Sequence, residues 1–250
     1  MGQVLGNGVF GPVVAAESKQ FGNVAVMILA RNVHNRDLPA DLKTEASLLA
    51  ATRHPNILSV YGIYLGDDGT AGLVIQRAGW NAAELSRRLQ ARHALLGERA
   101  QYAIHVGIGV ARGLNHLHNS VNPSIAHSDV RPYNILLSSA AMPQSAMVAD
   151  DPLRIPPPSN MDAYVMLAGF GMSRVVTALS TAGTVQAGQD AGTSEYLAPE
   201  QLLSGAHLPR DAEPARDVYA LGLVLWEILS GQKPWADCRG SRKLYMSKCS

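Results

Sequence analysis

The hydrophobic period of this chain changes once, near Asn81, and that change restricts the fold more than any other feature. From Val4 to about Ile28, β-branched and aromatic runs are broken by glycines, with Phe21-Gly22-Asn23 as a turn. This pattern predicts three antiparallel strands. Asp41 to Arg53 carries apolar residues at Leu42, Ala46, Leu49 and Ala50, the spacing of a helix with one buried face, and His54-Pro55-Asn56 stops it. Two more strands are expected around Ile57 to Leu65 and Leu73 to Gln76, separated by the turn-forming run Gly66-Asp67-Asp68-Gly69. Beyond that point the spacing becomes helical over Asn81 to Leu89 and Arg99 to Leu117, the second with Ile104, Ile108, Ala111 and Leu114 on one stripe. Sheet first and helices after is the order of an α+β protein with two lobes.

Composition removes several classes of function. With 250 residues, 47% of them hydrophobic, the chain can bury a full core, as one large domain or two lobes sharing a cleft. A formal charge of +1 provides no field to recruit nucleic acid or an anionic membrane, so neither is expected as a partner. No apolar run approaches the roughly 20 residues that span a bilayer, and the N-terminus lacks the basic flank and apolar block of a signal peptide. The two cysteines, Cys238 and Cys249, lie together in the last stretch, so no disulfide framework is expected and the reading is cytoplasmic. Met1-Gly2 is not a myristoylation signal, because Gly6 stands where that signal needs Ser or Thr.

The segment Leu5-Gly6-Asn7-Gly8-Val9-Phe10-Gly11-Pro12-Val13 places glycines where backbone amides can approach phosphate oxygens. Alone it is also compatible with a ligand-free hairpin. A Rossmann unit would require a helix at once, whereas Val13-Val14-Ala15-Ala16 continues as a strand.

Further elements follow in a fixed order. They are Val24-Ala25-Val26, Glu45 ahead of His54-Pro55-Asn56-Ile57, His127-Ser128-Asp129-Val130-Arg131-Pro132-Tyr133-Asn134, and Gly169-Phe170-Gly171. Gly192-Thr193 then precedes Ala198-Pro199-Glu200, and Asp217 to Gly222 leads on to Trp226-Glu227. This series resembles the protein kinase superfamily, most closely its tyrosine-kinase-like branch, whose members mostly phosphorylate Ser and Thr. The resemblance implies a bilobal α+β fold, with a small antiparallel N-lobe sheet carrying one helix (1–78) and a mainly helical C-lobe (79–235) incomplete at its C-terminal end. An insertion at about 139–161 and an atypical tail at 236–250 stand outside the minimal domain.

The resemblance also implies roles for single residues. Gly6, Gly8 and Gly11 would cover phosphates; Val13, Ala25 and Leu136 would sandwich adenine; Ile75 would guard the back of the pocket. Gln76-Arg77-Ala78 would be the hinge that hydrogen-bonds adenine through its backbone. Leu49, Val60, His127 and Phe170 would stack as the spine between the lobes. Asp129 would accept the substrate hydroxyl's proton, Arg131 would face the γ-phosphate, Asn134 would be a metal ligand, and Asp217 would brace the catalytic loop. Glu45 would orient a strand lysine. Asp129 and Asn134 can equally persist because their hydrogen bonds fix the loop.

Departures from the pattern fall on the phosphates and the metal. Met27 replaces the lysine that grips the α- and β-phosphates, and Gly169 replaces the aspartate that holds the main metal ion. Losses of this kind cost about 2.7–4 kcal/mol for a single transition-state donor, so two would slow transfer by about 10⁴-fold or more. ATP is therefore expected to bind weakly, and Mg2+ binding, with Asn134 as its one remaining ligand, is doubtful. Ser128 replaces an arginine that usually reads an activation-loop phosphate, leaving Ser180, Thr181 or Thr184 without that reader. Glu200 is expected to lack its usual arginine partner, and His116, His118 and His127 are expected as ordinary histidines and not a metal cluster. The functional expectation is a pseudokinase-type signalling module that binds a nucleotide and a protein partner. The alternatives are a weakly active ATP-dependent Ser/Thr protein kinase acting on a protein substrate, or a truncated product without function.

Overall fold

A computed structural model describes residues 2–8, 11–30, 52–138, 164–169, 174–175, 194–202 and 213–238. The helix expected at Asp41 to Arg53, with Glu45 and Leu49, therefore lies outside the described residues except at its last two positions. So do the insertion, Phe170, Gly171, Gly192, Thr193, the three candidate phosphosites and most of the tail.

Strands β1 (Val4–Gly8), β2 (Gly11–Ser18), β3 (Gly22–Ala30), β4 (Val60–Leu65) and β5 (Ala71–Gln76) form one antiparallel sheet in the order β1-β2-β3-β5-β4. Period-two alternation gives this sheet two apolar faces. Ala25, Leu73 and Ile75 join the main core, with Val13 and Met27 packed against it, while Val14, Val26 and Ile28 make a smaller cluster on the other face. The fourth strand starts later than the sequence suggests. Ile57 instead bridges Leu167, with the Leu58 amide donating to the Leu167 carbonyl and the Leu167 amide to the Asn56 carbonyl. Asn56 adds a bond from its amide nitrogen to the Val165 carbonyl at 2.8 Å. The segment after His54-Pro55 thus stitches the N-lobe to the C-lobe before the strand begins.

Past β6 (Ala78–Asn81), Asn81 caps α1 (Ala82–Ala91) by accepting from the Glu84 amide at 2.9 Å. Helix α2 (Leu96–Asn115) runs on into a π-helical turn at His116–Ser120. Its buried face is not the expected one. Tyr102, Ala103, Val106, Gly109, Val110, Gly113 and Leu114 point inward, whereas Ile104 is 58% and Ile108 38% exposed and Ala111 is also exposed. The helix is apolar on two sides, and the side with the smaller residues packs. A β-carbon on Gly113 would stand 2.8 Å from the Asn56 carbonyl oxygen, so glycine permits the close approach.

Strand β7 (Ile125–Ala126) pairs with β10 (Arg174–Val175), and β8 (Ile135–Ser138) lies between β6 and β9 (Val165–Leu167). Helix α3 (Glu213–Ser230) packs against α2 and buries Asp217, Ala220, Leu221, Val224, Glu227 and Ile228. Among the described residues no helix is long and apolar enough to cross a membrane.

Candidate functional site

The loop from His127 to Asn134 connects β7 to β8 and is held from behind by one carboxylate. Asp217 on α3, buried, accepts the His127 amide and the Ser128 amide at 2.8 Å each, and His118 Nε2 approaches it at 2.8 Å. Ser128 takes a left-handed φ of 65° while its amide makes that bond. A carboxylate serving several donors is firmly fixed, so the bracing geometry expected of Asp217 is present. His127 is fully buried. Its Nε2 donates to the Ala168 carbonyl at 2.9 Å and its Nδ1 accepts from the Asp129 amide at 3.3 Å, which assigns the neutral tautomer. Burial also holds its pKa below the ordinary histidine value. His116 stacks on His54 with ring centroids 4.9 Å apart, whereas His118 and the His127 amide meet on Asp217.

Asp129, Arg131, Asn134 and Gly169 come together at the mouth of this loop. Arg131 Nε lies 3.3 Å from Asp129 Oδ1. Asn134 Nδ2 donates to the Asp129 carbonyl at 2.9 Å and to its carboxylate Oδ2 at 2.6 Å. Burial raises the Asp129 pKa, and Arg131 and Asn134 oppose that rise. Gly169 has φ of 85°, and a β-carbon there would stand 2.6 Å from Asn134 Cγ. The Asn134 side chain therefore occupies the space into which a residue 169 side chain would project, and it faces inward to Asp129.

The face of the sheet toward the main core is apolar at Val13, Ala25, Met27, Leu73 and Ile75. Ala25 pairs with Ile75 across β3 and β5, and Met27 pairs with Val13 on one side and Leu73 on the other. Val13, Ala78 and Leu136 pack against the same core that buries Ala25, Ile75 and Met166. The expected adenine-lining residues are thus contiguous, and Met27 continues their surface where a lysine would interrupt it. The hinge differs in one respect. The Gln76 amide donates to the Ser59 carbonyl at 2.9 Å, and Ala78 pairs with Ser138 across β6 and β8. At the glycine-rich hairpin Gly8 pairs with Gly11 and Gly6 with Val13, and a β-carbon on Gly6 would meet nothing within 4 Å. Gly11 has φ of 146°, and a β-carbon would stand 2.7 Å from the Ile28 carbonyl oxygen, so glycine is required there by the hairpin itself.

Two features were not read from the sequence. Glu200 has a nearby cation, though not its usual downstream arginine: Arg216 Nε, from α3, lies 3.7 Å from its Oε1. Tyr196 donates its hydroxyl to the buried Glu227 carboxylate, whose pKa burial raises. Neither pair has a local sequence signal, because the partners meet only when the segment before α3 folds back on it.

The sequence pattern of the family described as protein kinase domain matches residues 1–249. The chain belongs to the protein kinase domain family. Among proteins similar to this kinase domain, mitogen-activated protein kinase kinase kinase 10 of Mus musculus is 30% identical over 242 residues, 94% of this chain and 22% of that protein. Serine/threonine-protein kinase CTR1 of Arabidopsis thaliana is 28% identical over 236 residues, 93% of this chain and 24% of that protein. Dual specificity protein kinase splA of Dictyostelium discoideum is 26% identical over 248 residues, 98% of this chain and 9% of that protein. The kinase domain thus spans a quarter or less of the length of these three relatives. Protein kinase domains in general use ATP and Mg2+ and act on protein substrates. The residues of this chain fit the two groups unequally. The contiguous apolar surface suits an adenine ring. The metal would be held incompletely: position 169 offers no side-chain oxygen, and Asn134, whose Nδ2 binds Asp129, would bring one amide oxygen.

Proposed function

We propose that this kinase domain is a pseudokinase-type signalling module of the tyrosine-kinase-like branch, which binds ATP or another nucleotide weakly and without metal and acts on a protein partner through its conformation. The observation that carries this reading is the position of Asn134. Its side chain lies where a metal-binding carboxylate at 169 would start, and its amide is hydrogen-bonded to Asp129. Met27 adds to it, since an apolar side chain packed against the core brings no cation to the phosphates. In this reading Asp129, Arg131 and Asn134 persist as a hydrogen-bonded loop braced by Asp217. Gly6, Gly8, Gly11, Val13, Ala25, Ile75, Gln76, Ala78 and Leu136 form the nucleotide side. The lobes meet at about Ala78, the C-lobe extends to Trp235, and the setting is cytoplasmic.

The second reading, a weakly active Ser/Thr protein kinase, is favoured by the Asp129 to Arg131 pair at 3.3 Å, which keeps a carboxylate and a cation where a substrate hydroxyl and a phosphate would meet. A phosphotransfer assay with magnesium or manganese separates the two. The pseudokinase reading predicts no transfer above background in the wild type and no change on Asp129→Ala. Wild-type turnover that disappears in Asp129→Ala would sink it.

A further inference from the structure

Arg216 occupies an unusual position for a cation. It precedes Asp217 on α3, and its side chain is nine-tenths buried, with 10% exposure. Its Nε and one terminal nitrogen are sealed from solvent and meet no hydrogen-bond acceptor among the described residues. The nearest carboxylate, Glu200 Oε1 at 3.7 Å, is too far for a hydrogen bond. Two buried guanidinium nitrogens without acceptors are costly, and such sites normally hold a counter-anion or water. Arg216 lines a cavity of about 20 Å³ together with Ser128, Tyr196 and Gln201. That volume admits one water or one oxygen atom and not a whole tetrahedral anion. The carboxylates on the same wall, Asp129 and Asp217, already have partners: a bond from Asn134 and an ion pair with Arg131 for the first, the His127 and Ser128 amides and His118 for the second. Arg216 is the cation on that wall with two buried nitrogens that meet no acceptor among the described residues.

The cavity adjoins Ser128, the position from which the usual phosphate-reading arginine is missing. We propose that Arg216 supplies an anion site here from α3, receiving one oxygen of a phosphate or phosphate monoester while the remaining oxygens stay at the cavity mouth. Ser128 lines the same cavity. A phosphoryl group carries about −1.5 to −2 charge at pH 7 and matches the planar guanidinium better than a single carboxylate does. It would therefore displace Glu200, which faces Arg216 without closing on it.

The test is thermal unfolding of the full chain, before and after phosphatase treatment, titrated with inorganic phosphate at constant ionic strength against sodium chloride. The phosphatase-treated wild type is expected to show a saturating rise in Tm that is absent in Arg216→Gln. If the site is filled by a phosphorylated side chain of this chain, the rise is absent before treatment and appears after it. If the anion comes from outside, treated and untreated chains respond alike. Should Arg216→Gln not fold, Glu200→Gln serves in its place: removing the competing carboxylate is expected to lower the half-saturating phosphate concentration by about threefold or more. A treated wild type without a saturable rise, a rise of equal size in Arg216→Gln, or an unchanged half-saturation in Glu200→Gln overturns the proposal and leaves the cavity to a water molecule.

Discussion

A carboxylate restored at position 169 would meet Asn134 before it met a metal ion. The β-carbon alone comes within 2.6 Å of Asn134 Cγ, and the backbone has φ of 85°, which side-chain-bearing residues rarely adopt. Gly169→Asp is therefore expected to destabilise the chain by about 1–3 kcal/mol, because Asn134 must swing out and release the Asp129 carboxylate. Urea unfolding of wild type and variant measures this, and an unchanged midpoint would show that Asn134 yields freely. His127 gives a second test at this scale. Its folded pKa lies below the unfolded value of 6.5, so the unfolded chain takes up the proton first as pH falls. Stability is then full above that value and declines as pH drops through it, by at most about 1.4 kcal/mol per pH unit from this one group. His127→Phe keeps a planar ring without the titration, and its unfolding midpoint is expected to fall less steeply between pH 7.5 and 5.5, a range chosen to span the ordinary histidine pKa. Equal slopes would mean that other groups dominate.

Elements were legible where turn chemistry is local. The β2-β3 turn falls at Lys19, Gln20 and Phe21, just ahead of the expected Phe21-Gly22-Asn23, whose last two residues already pair in β3, whereas the Asn81 cap was not read from the sequence. The face of α2 was not legible, since bulky Ile104 and Ile108 suggest a core stripe while Gly109 and Gly113 mark the side that packs. Hydrophobic size identifies a buried face only when the partner surface has room for it, and here the Asn56 backbone does not. Gly113→Ala, at most positions in a helix a stabilising change, is accordingly expected to cost about 1–3 kcal/mol by driving a methyl group against the Asn56 carbonyl. Chemical denaturation decides it, and a neutral or stabilised variant would show that the α2 contact with this segment is loose. The start of β4 was missed for a related reason: Ile57 and Leu58 have strand-like side chains but are paired with Leu167 of the other lobe.

Across the whole molecule, the ordered motifs made the fold legible, because each motif joins a residue type to a geometry that recurs in the family. The pairs that complete the loop's surroundings were hidden, since Glu200 and Arg216, and Tyr196 and Glu227, come from segments that only the fold brings together. The proposed function divides one cleft into an apolar side at Val13, Ala25, Ile75 and Leu136 and a phosphate and metal side altered at Met27 and Gly169. Calorimetric titration with adenosine and with ATP, each with magnesium and with a chelator, tests that division most directly. The account predicts weak binding of both, differing by less than about threefold, or roughly 0.7 kcal/mol, and unchanged by the metal. Binding of ATP strengthened tenfold or more by magnesium, about 1.4 kcal/mol, with adenosine unaffected, would contradict it.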